Sequence, residues 1–210
     1  MTVTVLRVGK ETGNVLTCLA VLSDTHMPDR LDAYHPDLLP LLTGRKIDGI
    51  LHAGDVSRRS VLIDLGRIAP VTAVRGNRDF LFRPALPMTT FILAGGVKIA
   101  MMHGHFSFWN YLYDKFFYWK DGYVLSRYHD KVLAEAGDAR VAIFGHTHNP
   151  ECMLVGNVLL MNPGSASMGP HRGMNPYVGF LTVYDDHSIG AEVIEMDGAK
   201  FDGRKWVAQK

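Results

Sequence analysis

The chain has 210 residues, is 47% hydrophobic and 20% charged, and carries a formal net charge of +1. That is apolar enough for a buried core, and it is too nearly neutral for a disordered chain or a long nucleic-acid footprint. No apolar run approaches the roughly 18 residues of a membrane span, and Met1 to Gly13 lacks the apolar stretch of a secretion signal. The expectation is one globular domain over residues 1–210. Cys18 and Cys152 lie in separate apolar runs, which reads as two packed free thiols in a reducing, cytoplasmic compartment.

In chain order, Thr2 to Val8 alternates and is rich in β-branched residues, Gly9 to Asn14 is turn-rich, and Val15 to Leu22 is apolar. The pattern predicts an N-terminal hairpin extension, residues 1–15, leading into a first central strand. Pro36 to Leu42 predicts a short helix despite Pro40, and Ile47 to His52 a second buried strand. Ser57 to Ile68 reads as a helix with Ser57 at its N-cap, and Val71 to Arg75 as a third strand. This order predicts a parallel α/β layer. Thr89 to Leu93 and Val97 to Met102 flank Ala94-Gly95-Gly96, a hairpin signal. A helix is expected from about Val124 to Ala136, then a buried strand from Val141 to Phe144. Cys152 to Val155, Val158 to Met161, Tyr177 to Tyr184 and Ile189 to Met196 predict a mostly antiparallel second sheet. Residues 197–210 read as a polar tail.

Five of these strands end on metal-ligand chemistry: Asp24 and His26, Asp55, Asn77, His103, and His146 with His148. In open α/β sheets the carboxyl ends of strands line the ligand crevice. Taken singly, His26 is an ordinary surface histidine, His103 a satisfied half-buried imidazole, Asp55 a helix-start residue and Asn77 a plain turn. At five strand ends together they predict one shared site. Glycines before Asp55, Asn77 and His146 fit a crowded centre in which a Cβ would be in the way. Seven mixed nitrogen and oxygen ligands exceed one tetrahedral zinc and suit two adjacent cations sharing a carboxylate.

Asp24-Thr25-His26, Gly54-Asp55, Gly76-Asn77-Arg78-Asp79, His103-Gly104 and Gly145-His146-Thr147-His148, in that order, resemble the calcineurin-like metallophosphoesterases. The compact length and Asn162-Pro163-Gly164-Ser165 resemble the small prokaryotic phosphodiesterase branch. The resemblance runs from about Leu16 to Met196. It implies a four-layer α/β/β/α sandwich with two mixed β-sheets, built around two divalent transition-metal ions. Asp24, His26, Asp55 and His148 would hold one ion, and Asp55, Asn77, His103 and His146 the other, with Asp55 as the bridge. Manganese or iron suits the thiolate-free set best; zinc, nickel and cobalt also occur in the family. Two cations less the charges of Asp24 and Asp55 leave +2, which matches a phosphodiester plus a hydroxide. The reaction implied is attack of a metal-bound hydroxide on the phosphorus of a small phosphodiester, without a covalent enzyme intermediate.

The resemblance gives catalytic roles to Asp55, Asn77, Arg78 and Asp79, with Asp79 orienting its loop. Arg78 departs from the family pattern, in which many relatives carry histidine at that place and the small prokaryotic branch often carries cysteine. Arginine cannot protonate a leaving group but can contact phosphate oxygens; a surface pairing with Asp79 is the competing reading. His105, His171 and Arg172 are further candidate substrate contacts, and His52 reads as a core histidine. Phe106 to Tyr128 holds eleven of the twenty-one aromatic residues. This insert is expected to pack on the core or on a second subunit in a homo-oligomer, ahead of a lid or a membrane-surface role. Rival functions are a phosphomonoesterase, a lipid-linked pyrophosphate hydrolase, and a non-catalytic interaction scaffold on the same fold.

Overall fold

The structure, a computed structural model, describes residues 3–8, 13–79, 85–105, 126–169 and 173–209. The first half contains β1 (Val3–Val8), β2 (Val15–Leu22), α1 (Leu38–Thr43), β3 (Gly49–His52), α2 (Arg59–Gly66) and β4 (Val71–Ala73). Next come β5 (Thr89–Ala94), β6 (Val97–Met102), α3 (Ser126–Ala136), β7 (Val141–Ile143), β8 (Glu151–Val155) and β9 (Val158–Asn162). The chain closes with β10 (Tyr177–Tyr184), β11 (Ile189–Glu195), β12 (Ala199–Phe201) and β13 (Trp206–Ala208).

One sheet has the order β1-β11-β10-β2-β3-β4, the other β5-β6-β7-β9-β8. Both are mixed. β2, β3 and β4 run parallel through crossovers carrying α1 and α2, and β6, β7 and β9 run parallel in the second sheet. Neighbouring side chains on a strand point to opposite faces, so each central strand feeds two cores. Leu19 and Val21 of β2 meet Ile99, Ile143 and Met161 between the sheets. Ala20 and Leu22 face the other way, onto Leu38 and Leu42 of α1 and Val61 and Leu65 of α2. On the far side of the second sheet, Ala142, Phe144 and Leu160 cover Val132 and Ala136 of α3. Three apolar seams therefore separate four layers, the α/β/β/α sandwich expected.

Several local expectations give way to longer-range pairing. β1 does not close a hairpin on β2; it lies antiparallel to β11, with Thr4 opposite Val193. β10 and β11 belong to the first sheet, where Phe180 pairs with Ala20 of β2, so only β8 and β9 of the four late strands join the second. Ser57 does not cap α2. Arg58 precedes the helix without a capping side-chain bond, and Ser57 sits at φ 71° with its backbone N–H given to Asp79. The polar tail is a hairpin, β12–β13, docked through Trp206. Its indole N–H donates to the Ala33 carbonyl at 3.0 Å, and its ring meets His35 edge-on at 4.6 Å. Residues 106–125 of the aromatic insert lie outside the described residues.

Candidate metal centre

β2, β3, β4, β6 and β7 all deliver their carboxyl ends to one rim, and the loops after them carry the seven candidate ligands. The backbone turns sharply as it leaves β2, β3 and β7. Asp24, His26, Asp55, His146 and His148 have φ of 53°, 48°, 54°, 70° and 57°. Left-handed backbone costs free energy in non-glycine residues and gathers at functional sites; Asp and His are among the side chains that tolerate it best. Hydrogen bonds hold these turns: Asp24 N–H to Gly54 O at 2.9 Å and His26 N–H to Asp55 O at 3.1 Å.

The side chains converge. His26 Nε2 and His148 Nε2 are 3.1 Å apart, and they stand 3.6 and 3.3 Å from Asp24 Oδ1. His103 Nε2 lies 3.9 Å from the same oxygen and 3.6 Å from Asp55 Oδ1. Asp55 Oδ2 faces His26 Nε2 at 3.8 Å, so the two oxygens of Asp55 look toward different histidines. Asn77 Oδ1 sits between His103 Nε2 at 3.1 Å and His146 Nδ1 at 2.9 Å. All seven residues form one contiguous cluster.

That donor set fits divalent cations. Two ligand atoms each about 2.1 Å from an ion and at right angles about it stand about 3.0 Å apart, close to three of the separations above. The buried Asp24 Oδ1 has no hydrogen-bond partner among the described residues, although burying a bare carboxylate oxygen is costly. Asp24, His26 and His148 form one potential ion-binding group, and Asp24, Asp55 and His103 a second. Asp24 is thus as central as Asp55.

Electrostatics point the same way. Burial pushes His26 down to about 2 and His146 to about 3, so both imidazoles are neutral and present lone pairs. At Asp24, burial is outweighed by the charges of His148 and His103, which hold the carboxyl well below its usual range. At Asp55 burial dominates over His103, and with the Asp24 charge adding to it the carboxyl is raised to about 6. Two crowded carboxylates with opposed shifts are what cations between them would relieve.

The supporting contacts are backbone-directed. Asp79 is fully buried and does not pair with Arg78. Its Oδ2 accepts the N–H groups of Asp55 at 3.0 Å and Gly76 at 2.8 Å, and its Oδ1 that of Ser57 at 2.7 Å. Arg78 instead gives its backbone N–H to Asp55 Oδ1 at 2.8 Å and its guanidinium to Asp29. A Cβ on Gly76 would lie 2.1 Å from Asp55 Oδ1, and one on Gly145 1.9 Å from Ser23 Oγ. These glycines therefore clear room for the ligand carboxylates and their partners. His52 is buried, with Nε2 3.3 Å from Thr25 Oγ1, in keeping with a core histidine.

Residues without an obvious signature also shape the site. Ser23 donates to Asp24 Oδ2 at 2.6 Å, and Ser165 and Ser167 donate to the Asp24 carbonyl at 2.9 and 2.7 Å. Asn162 donates to Gly145 O at 3.1 Å and Thr147 Oγ1 at 2.9 Å, fastening the loop that holds His146 and His148. Asp29 is another member that no motif marks. His105 is buried against His103 with ring centroids 5.4 Å apart. His171 and Arg172 lie outside the described residues.

Fold and site define a two-sheet α/β/β/α sandwich with a cluster of candidate cation ligands at its strand ends. The family model described as Calcineurin-like phosphoesterase superfamily domain matches residues 18–186. A curated probable metallophosphoesterase of Methanothermobacter thermautotrophicus is 30% identical over 179 residues, covering 84% of this chain and 91% of its own. Among solved structures, Vps29 of Chaetomium thermophilum is similar with a TM-score of 0.69 at 23% identity, covering 92% of this chain and 91% of that one. Vps29 of Entamoeba histolytica, solved in complex with zinc, has a TM-score of 0.61 at 26% identity and covers 85% of this chain and 99% of its own. The chain belongs to the calcineurin-like phosphoesterase superfamily, a family of metal-dependent phosphoester hydrolases. Among the described residues, no helix is long and apolar enough to cross a membrane.

Proposed function

We propose that this protein is a cytoplasmic phosphodiesterase acting on small diesters through two divalent cations, with manganese the favoured metal. Asp24, His26, Asp55 and His148 would hold one ion, and Asp55, Asn77, His103 and His146 the other. The observation that carries this reading is the buried, unpartnered Asp24 Oδ1 ringed by three imidazoles. Bound there, two divalent ions would supply charge against the phosphoryl oxygens and acidify the water that attacks phosphorus.

The chain's own groups do the rest. Asp24 and Asp55 bring two negative charges, which leaves room for an anionic substrate. Asn77 offers a neutral amide oxygen that keeps that balance. The Arg78 guanidinium pairs with Asp29 beside His26, and its remaining N–H groups can meet phosphoryl oxygens. His105, whose buried Nδ1 has no hydrogen-bond partner among the described residues, together with His171 and Arg172, completes the substrate contacts. Asp79 holds the Asp55 and Gly76 backbones at fixed spacing.

With arginine where relatives carry a proton donor, good leaving groups are favoured. Manganese-loaded protein should hydrolyse bis-nitrophenyl phosphate far faster than a dialkyl phosphate, with inversion at phosphorus on a chiral substrate. Net retention would overturn direct attack by water, and equal rates would show that a general acid is present. A second reading has its own support in the likeness to Vps29, by name a vacuolar protein sorting protein. A metal-loaded protein that hydrolyses no mono- or diester would favour a scaffold over an enzyme.

A further inference from the structure

We propose that Asp29 is a positioning residue that holds the Arg78 guanidinium at the mouth of the metal centre and cancels its charge, so that the site selects phosphodiester monoanions over phosphomonoester dianions. The proposal rests on the phosphoester reading above and names what chooses between the two ester classes.

Two contacts place Asp29. Its Oδ2 pairs with Arg78 Nη1, and the same oxygen lies 4.0 Å from His26 Nδ1. Arg78 is itself anchored through its backbone N–H on Asp55 Oδ1 at 2.8 Å. The pair therefore spans from the loop after β2 to the loop after β4, directly beside two candidate ligands. Neither partner is shut away: the side chains of Arg78 and Asp29 are 34% and 22% exposed. A guanidinium has five N–H groups in a planar fork, and only Nη1 is engaged by Asp29. The others can reach an anion held over the centre.

Charge then decides which anion. Two divalent ions and the carboxylates of Asp24 and Asp55 sum to +2, the match for a diester monoanion and an attacking hydroxide. Arg78 alone would raise this to +3, the match for a monoester dianion. Asp29 returns it to +2. Removing one charge at a half-exposed site a few ångströms from the ligand shifts relative affinity by about fivefold.

The test is calorimetric binding of methyl phosphate and dimethyl phosphate to the manganese-loaded full chain at about pH 8, where methyl phosphate is a dianion. Asp29→Asn should raise the ratio of methyl phosphate to dimethyl phosphate affinity about fivefold. Arg78→Gln should lower it by a similar factor, D29N/R78Q should return it near the starting value, and Asp29→Glu should leave it unchanged. If Asp29→Asn weakens both ligands equally, or leaves the ratio within twofold, Asp29 is a structural staple and the proposal is overturned. Wild-type protein that binds neither anion and hydrolyses no ester would overturn the phosphoester reading as well. Anion binding that ignores Asp29 would overturn this inference alone.

Discussion

Replacing Asp79 by Asn changes one oxygen to an amide nitrogen and little else in shape. The native carboxylate accepts three backbone N–H groups, from Asp55 and Gly76 on one oxygen and Ser57 on the other. An asparagine can keep its oxygen on the Asp55 and Gly76 pair, but its NH2 then meets the Ser57 N–H, donor against donor. Loss of that one charge-assisted bond costs about 1.5–3 kcal/mol, and the two survivors each weaken by about 1 kcal/mol as their acceptor loses its charge. The sum is about 3.5–5 kcal/mol, a fall in Tm of about 10 °C for a chain of this length. Because these N–H groups belong to the loops bearing Asp55 and Asn77, manganese affinity should fall about 10–100-fold as well. Urea unfolding and calorimetric metal titration of Asp79→Asn measure both, with Asp64→Asn, in an exposed pair with Arg67, as a near-silent control. An Asp79→Asn protein unfolding within about 0.5 kcal/mol of wild type and binding manganese normally would refute the role given to these bonds.

Gly145→Ala would place a Cβ 1.9 Å from Ser23 Oγ and 3.0 Å from Asp24 Oδ2, and should destabilise the protein by about 1–3 kcal/mol while weakening metal binding. Gly66→Ala, with nothing within 4 Å of the added carbon, should be neutral or stabilising in the same urea series. Leu42 of α1 is fully buried, so Leu42→Ala should cost about 2–5 kcal/mol on denaturant unfolding, and a loss below about 1 kcal/mol would contradict the seam between α1 and the first sheet. Burial pushes the Cys152 thiol up to about 11, leaving about one thiolate in a thousand at pH 8. Its alkylation in the folded protein should be slow and rise about tenfold per pH unit up to that value; rapid labelling at neutral pH would show the thiol is not held in its apolar setting.

The strand ends were legible in the sequence because buried parallel strands read as unbroken apolar runs, and the polar residues closing each run, as in Leu22-Ser23-Asp24, must surface at the rim. The two-sheet sandwich came from a resemblance carried by five ordered motifs. Sheet membership was not legible. Alternation in Tyr177 to Tyr184 shows that one face is buried, but not whether its neighbour is Ala20 of β2 or a strand of the other sheet. The same limit hid the pairing of β1 with β11. Trp206 in a polar segment was the missed clue to the final hairpin, since a tryptophan there needs somewhere to dock. At the site, the ligand residue types announced themselves, whereas Ser165, Ser167 and Asn162 act through hydrogen bonds that any loop serine or asparagine can make. Asp29 gains its meaning only from the loop after β2, which brings it to Arg78. The left-handed backbone at Asp24, His26, Asp55, His146 and His148 had no pattern to betray it beyond the tolerance of Asp and His for that conformation.

Whether seven side chains from five strand ends hold paired cations is settled by counting the ions. Metal-stripped protein titrated with manganese in a calorimeter, and checked by elemental analysis after gel filtration, should take up two ions per chain. Asn77→Ala should selectively weaken one of the two and His26→Ala the other. Uptake of no ion, or of a single ion whose affinity is indifferent to Asn77, would show that the cluster is not a dinuclear centre.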